Sequence, residues 1–250
     1  VLWELSEVPA SPLADEEALA LQRYLKAMEG AKPARLRRWS VALAMAACLV
    51  LMVSMGAGWQ PQRWADDLGA DYVSAPGEVK TVTLADHSQI TLDADSAIAV
   101  DFSQGERHIQ LRRGAGFFNV AHTGQAFVVH ADSGEVRVLG TQFEVRLQPA
   151  GAQVTVLSGR VGVTPSAQGT QQILTAGQQV AYVEGVADER HAVDSESRLG
   201  WRDGWLNYYK APLADVVKDL GRYYPGRILL LNDQLGARRV SGSFPSKDPE

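Results

Sequence analysis

Glu135-Val-Arg-Val-Leu-Gly-Thr-Gln-Phe-Glu-Val-Arg-Leu147 alternates apolar and polar side chains on both sides of a Gly-Thr pair. A period of two places Val136 and Val138, then Phe143, Val145 and Leu147, on one face of an extended chain and the charges on the other, which is the pattern of a half-buried β-strand. The alternation continues outward. Upstream lie VKTVTL (79–84), QITLD (89–93), IAVDF (98–102), HIQLR (108–112), GFFNVA (116–121) and AFVVHA (126–131), and downstream QVTVL (153–157), RVGVT (160–164) and QVAYV (179–183). Gly105, Gly114, Gly124, Gly134, Gly159 and Gly177 separate the runs, at the spacing of an all-β sandwich. No helical stretch interrupts them. Residues 78–187 are therefore expected to form an all-β domain, sandwich or solenoid-like.

The flanks differ from this centre. After a polar stretch read as a linker (188–200), Trp205-LNYY predicts a strand and Pro212-LADVVKDLGRYY a helix, with Leu213, Val216, Val217, Leu220 and Tyr224 on one face. RILLL (227–231) and RVSGSF (239–244) follow as expected strands, so 201–250 reads as a small α/β module. Its final Asp248-Pro249 pair resembles a helix start, and the chain begins at Val1; both ends are expected to be cut from something longer. At the other end, Ser11-Pro12 opens a helical stretch through about Glu29 with Leu21, Leu25 and Met28 at helical spacing.

Between these parts, Trp39-SVALAMAACLVLMVSMGAG-Trp59 contains no Lys, Arg, Asp or Glu. As a helix its interior would reach about 28 Å, close to a bilayer's hydrocarbon thickness, with tryptophan at each interface. The expectation is a single transmembrane helix over 39–59, with 60–77 as a linker. Lys32, Arg35, Arg37 and Arg38 precede it, whereas Arg63, Asp66, Asp67 and Asp71 follow, which predicts a cytoplasmic N-terminus and a periplasmic remainder. Cys48 lies inside the span as a small apolar residue.

Composition excludes several classes. With 24 Lys+Arg against 29 Asp+Glu, a net charge of −5 does not suit a nucleic-acid binder, which needs a basic footprint. One cysteine excludes an intrachain disulfide framework and a cysteine-based zinc site. The five histidines, His87, His108, His122, His130 and His191, show no close ligand spacing, so no metal and no cofactor is expected. There is no nucleophile elbow and no phosphate loop, and Gly114-Ala115-Gly116 lacks the third glycine of a dinucleotide fingerprint. The chain is not expected to be an enzyme. One bond could still react: at Gly140-Thr141 the threonine hydroxyl could attack the preceding carbonyl, glycine permitting the close approach and unusual torsions required. A plain glycine turn before a strand-starting threonine explains the same residues.

The pieces Gly77-EVKTVTLADHSQITLDADSAIAVDF, Leu111-RRGAGFFNVA, AFVVHADSGEVRVLGTQFEVR and VTVLSGRVGV resemble the FecR-type periplasmic domain of bacterial transmembrane anti-sigma regulators. Trp201-RDGWLNYYKAPLADVVKDLGRYYPGRI with RRVSGSF is similar to the secretin/TonB short N-terminal domain that ends such proteins. His87 departs from the family pattern, which has glycine in that Leu-Ala-Asp-Gly-Ser turn. The resemblance implies an inner-membrane, single-pass anti-sigma factor that relays siderophore-transporter occupancy to an extracytoplasmic-function sigma factor through regulated proteolysis. Implied partners are that sigma factor, bound by a cytoplasmic segment 1–38 (Leu21, Leu25, Met28), and the signalling domain of a TonB-dependent transporter, met by 201–250 (Leu206, Tyr208, Leu230). A site-2-type membrane protease and the lipid bilayer complete the set. It also implies self-cleavage at Gly140-Thr141 by an N-to-O acyl shift. A membrane-anchored module that binds glycan or peptide, and an envelope assembly component, are the alternatives.

Overall fold

The computed structural model describes residues 12–30, 45–46, 48–49, 61–103, 105–224 and 228–246. The chain divides into two compact units, residues 1–59 and 60–250. The first contains helix α1 (Pro12–Gly30), opened by a proline whose fixed φ suits a first helical position.

The transmembrane expectation is corrected. Among the described residues no helix is long and apolar enough to cross a membrane. The physical reason lies in the charges of helix α1. The 19-residue α1 is long enough, but Asp15, Glu16, Glu17, Arg23, Lys26 and Glu29 interrupt any apolar span. Within 39–59, Met45, Ala46, Cys48 and Leu49 are described as helical. The rest of that stretch lies outside the described residues. The single-pass inner-membrane placement and the relay across a bilayer rested on that span and are corrected with it.

The second unit is mainly β. After a short helix α2 (Pro61–Asp67) come β1 (Tyr72–Val73), β2 (Lys80–Thr83), β3 (Gln89–Leu92), β4 (Ala97–Asp101), β5 (Arg107–Arg113) and β6 (Ala115–Asn119). Then follow β7 (Phe127–Ala131), β8 (Gly134–Val138), β9 (Gln142–Gln148), β10 (Gly151–Ser158), β11 (Arg160–Thr164), β12 (Gln172–Thr175), β13 (Gln178–Val183), β14 (Val186–Ala187) and β15 (His191–Ala192). One sheet has the order β1-β4-β5-β7-β8-β11-β12; the other runs β14-β13-β10-β9-β6-β3-β2, with β15 also on β13. Pairing is antiparallel except between β5 and β7.

The two sheets form a sandwich because their inner faces share one apolar core. Alternation in β5 buries Ile109 and Leu111 while Gln110 and Arg112 face outward. Phe127 and Val136 from the first sheet meet Phe118, Phe143, Val145 and Val154 from the second. Phe118 stacks on Phe143 with ring centroids 5.2 Å apart and meets Phe127 edge-on at 6.2 Å. The buried Tyr182 hydroxyl donates to the Ala131 carbonyl at 2.6 Å, so its polar end is not orphaned.

Every strand expected between 79 and 183 is present to within two or three residues. The turn at His87 shows why glycine suits that position: His87 has φ 65°, a left-handed conformation that L side chains adopt at a cost. Arg107 and Ser88 stabilise it by donating to the Asp86 carboxylate, at 2.6 Å each. Burial pushes that carboxyl up, but these hydrogen bonds outweigh it and leave Asp86 below the ordinary 3.8.

The stretch read as a linker carries β15 and helix α3 (Ser195–Arg198), whose cap Asp194 accepts from the Ser197 amide. A 3-10 turn (Gly200–Asp203) then leads into β16 (Trp205–Pro212), helix α4 (Leu213–Leu220), helix α5 (Asp233–Gly236) and β17 (Arg239–Pro245). β16 and β17 pair directly. Residues 228–231 form no strand, contrary to expectation. Helix α4 stops at Leu220 rather than Tyr224, since Arg222 and Tyr223 turn away to bond the sandwich.

Candidate functional site

β8 belongs to one sheet and β9 to the other, so Leu139-Gly140-Thr141 carries the chain across the sandwich. Two further crossings meet it there: the 120–126 segment from β6 to β7, and Gly159 between β10 and β11. They interlock closely. The Thr141 carbonyl accepts from the Val120 amide at 3.0 Å. Gly159 has φ 87°, and a Cβ on it would stand 2.6 Å from Thr141 Cγ2 and 3.4 Å from the Gly140 oxygen. A β-bulge in β10 between Val156 and Ser158 lies opposite the start of β9, a device that re-aims neighbouring groups.

Gly140 is required here for space rather than for a left-handed torsion, since it is not among the glycines with positive φ. A Cβ at Gly140 would stand 2.7 Å from His122 Nδ1 and 2.8 Å from His122 Cβ. The residue that packs closely on Gly140 is His122. Thr141 is only 7% exposed, and its Oγ1 is buried with no hydrogen-bond partner. A buried hydroxyl left unpaired is uncommon and calls for an explanation. The chemical content of the junction is thus an unengaged nucleophile, its own preceding carbonyl and an adjacent imidazole. Spacing in the sequence could not reveal His122, because it reaches Gly140 only when β6 and β7 fall in opposite sheets.

The residues nominated for partner binding fall in different settings. Leu21 and Leu25 are exposed one helical turn apart on α1, with Leu19 and Tyr24 also exposed; Met28 lies on the same helix. Leu206 is buried with Ala94, Phe117, Leu199, Trp201 and Tyr223, where the C-terminal module packs on the sandwich. Tyr208 is half-buried and donates to Asp219 at 2.8 Å. Leu230 is half-buried and packs toward Gly236. Around them, Trp205, Tyr209, Leu229, Leu231 and Phe244 are exposed.

A polar seam that sequence reading did not identify ties the module to the sandwich. Asp93, completely buried in the β3–β4 turn, meets Arg146 at 3.0 Å and Arg222 at 3.1 Å and accepts from the Tyr223 hydroxyl. Arg146 also reaches Glu144 at 2.8 Å and Asp219 at 3.3 Å, and Trp201 Nε1 donates to Glu144 at 2.8 Å. Burial alone would favour a neutral Arg146, but Glu144, Asp93 and Asp219 outweigh it and hold the guanidinium charged. Burial, then the Asp93 charge, drives Tyr223 far upward, so it remains a donor. A cleft of about 520 Å³ opens beside the seam, lined by Arg146, Trp201, Trp205, Tyr208, Lys210 and Asp219.

Among the described residues no group of three or more His, Cys, Asp or Glu side chains is placed to hold a metal ion. Residues 70–162 match the family described as FecR protein. Two crystal structures of a candidate anti-sigma factor from Parabacteroides distasonis ATCC 8503 are similar to this chain, at 1.65 and 2.50 Å resolution. The first aligns with a TM-score of 0.64 at 26% identity, over 71% of this chain and 85% of that one. The second gives 0.63 and 26%, over 71% and 84%. No curated protein matches the sequence. These likenesses are to regulators and not to catalysts of turnover, and the protein is not an enzyme.

Proposed function

We propose that the protein is an anti-sigma-type regulator whose partner is a sigma factor of the extracytoplasmic-function class. The observation that carries this reading is the likeness, across 71% of the chain, to a protein described as a candidate anti-sigma factor. The match of 70–162 to the FecR description supports it. Helix α1 supplies a surface suited to such a partner: Leu21 and Leu25 are exposed on one apolar stripe, and burying two leucines contributes about 3–6 kcal/mol. The sandwich and its C-terminal module form the receiving part. The partner assigned to that module is the signalling domain of a TonB-dependent transporter, taken up at Tyr208 and Leu230 and the exposed aromatics around them, whereas Leu206 is buried in the core and is not available to a partner. A two-stranded sheet offers open edges for an added strand.

Self-cleavage between Gly140 and Thr141 is the second part of the proposal. Thr141 Oγ1 would attack the Gly140 carbonyl carbon, the C–N bond would break, and water would open the resulting ester. A buried, unpaired hydroxyl next to its own carbonyl supports this reading.

The test of the regulatory reading is a sigma-dependent promoter measured with the intact chain and with a Leu21→Asp, Leu25→Asp variant. Promoter output should change in the variant, and the sigma factor should no longer be captured by it. Equal output and equal capture would refute the assignment of α1 as the sigma-binding element.

A further inference from the structure

The geometry points to His122 as the residue that moves the proton when the Gly140-Thr141 bond is exchanged for an ester. This rests on the self-cleavage reading above. An acyl shift from nitrogen to oxygen has two proton requirements: the hydroxyl must lose one, and the departing nitrogen must gain one, because an amide anion is too poor a leaving group. Nothing on Thr141 meets either need, since its Oγ1 has no partner.

The placement of the imidazole fits the second requirement. Its Nδ1 lies 2.7 Å from the position that a Cβ of Gly140 would occupy, beside the residue whose carbonyl is attacked. The Gly140 oxygen faces Gly159, 3.4 Å from where that residue's Cβ would stand. His122 is itself exposed, so its ring is open to solvent beside the buried Thr141. The approach is fixed from both sides, because the 120–126 segment that carries His122 is pinned by the Val120 amide on the Thr141 carbonyl.

The step balances. Thr141 Oγ1 forms a bond to the Gly140 carbonyl carbon, and the carbon–nitrogen bond breaks with its electron pair left on nitrogen. The imidazolium of His122 gives that nitrogen a proton, and the hydroxyl proton recharges the ring. Water then adds to the ester, returning the Thr141 hydroxyl and leaving a carboxylate on Gly140.

The experiment uses the full chain without added protease, followed by intact mass and denaturing gel between about pH 5 and 8, the range in which imidazoles titrate. Wild type, His122→Ala, His122→Gln and Thr141→Ala are compared, with thermal melts to establish that each is folded. The expected result is two fragments from wild type and none from Thr141→Ala. Both His122 variants should be slowed at least about 100-fold, with a flattened pH profile, and added imidazole should restore part of the rate to His122→Ala. If the His122 variants cleave at the wild-type rate with the wild-type profile, the role of His122 is overturned and self-cleavage stands. Slowing that keeps the profile and ignores imidazole reduces His122 to packing and also overturns the inference. An uncut wild-type chain overturns both.

Discussion

Replacing Arg146 by methionine tests the physical account of the seam most severely. Arg146 is the one side chain that touches Asp93, Glu144 and Asp219 together, at 3.0, 2.8 and 3.3 Å. Methionine fills much the same volume, so the change removes charge more than packing. Asp93 is fully buried and Glu144 nearly so, and the variant would leave Arg222 alone to balance them. Breaking a buried ion pair by deleting one partner costs about 3–5 kcal/mol, because the remaining charge has neither water nor counter-charge. For a unit of this size that corresponds to a fall in Tm of roughly 6–20 °C. Urea unfolding followed by Trp201 fluorescence reports the seam, since the indole donates to Glu144, while far-UV circular dichroism reports the sheets. Adding Glu144→Gln to the variant should recover at least about half the loss, because the amide oxygen still accepts from Trp201 and one stranded charge is gone. A loss below about 1 kcal/mol, or no recovery in the double variant, would refute the claim that charge balance holds the module in place.

Three further outcomes follow from local geometry. His87→Gly should stabilise the protein by about 0.5–1 kcal/mol in urea unfolding, since relief of the left-handed histidine at φ 65° exceeds glycine's extra entropy. Gly159→Ala should cost about 2–4 kcal/mol by thermal melt, because φ 87° disfavours a Cβ and the added methyl would press on Thr141. Asp86→Asn should lower stability near neutral pH. Since the folded Asp86 carboxyl sits below its ordinary 3.8, its contribution is complete above about pH 4 and fades as pH falls further, so wild type and variant should converge in acid.

The sandwich was legible because its signal is local. Alternation and the glycines between runs are read within a few residues, and burial follows the alternation in β5 and β8, while β7 is buried on both faces. The short β12, Gln172–Thr175, escaped because only Ile173 and Leu174 are apolar in it. RILLL at 227–231 misled for the opposite reason: its composition suits a strand, but residues 228–231 pair with none and leave Ile228, Leu229 and Leu231 exposed. At the junction, Gly140 and Thr141 were identifiable as neighbours in sequence, whereas His122 and Gly159 reach them only through sheet crossings. The seam was hidden in the same way, because Asp93 and Arg222 meet by docking and not by spacing.

The two ladders that flank the 140–141 bond give the molecule a mechanical character. The strands before that bond pair with those after it along β6 with β9, five residue pairs from Ala115↔Arg146 to Asn119↔Gln142, and along β8 with β11, three pairs from Gly162↔Arg137 to Thr164↔Glu135. Asp93 adds a third tie, because its partners Arg146, Arg222 and Tyr223 all lie on the far side of the bond. In the uncut chain, tension applied between the two ends is borne by a covalent backbone. Once the proposed cleavage has occurred, the same tension falls on interstrand hydrogen bonds, the shared core and one buried ionic tie. The fold would then behave as a fuse: it holds its shape at rest and parts along a predetermined surface when pulled.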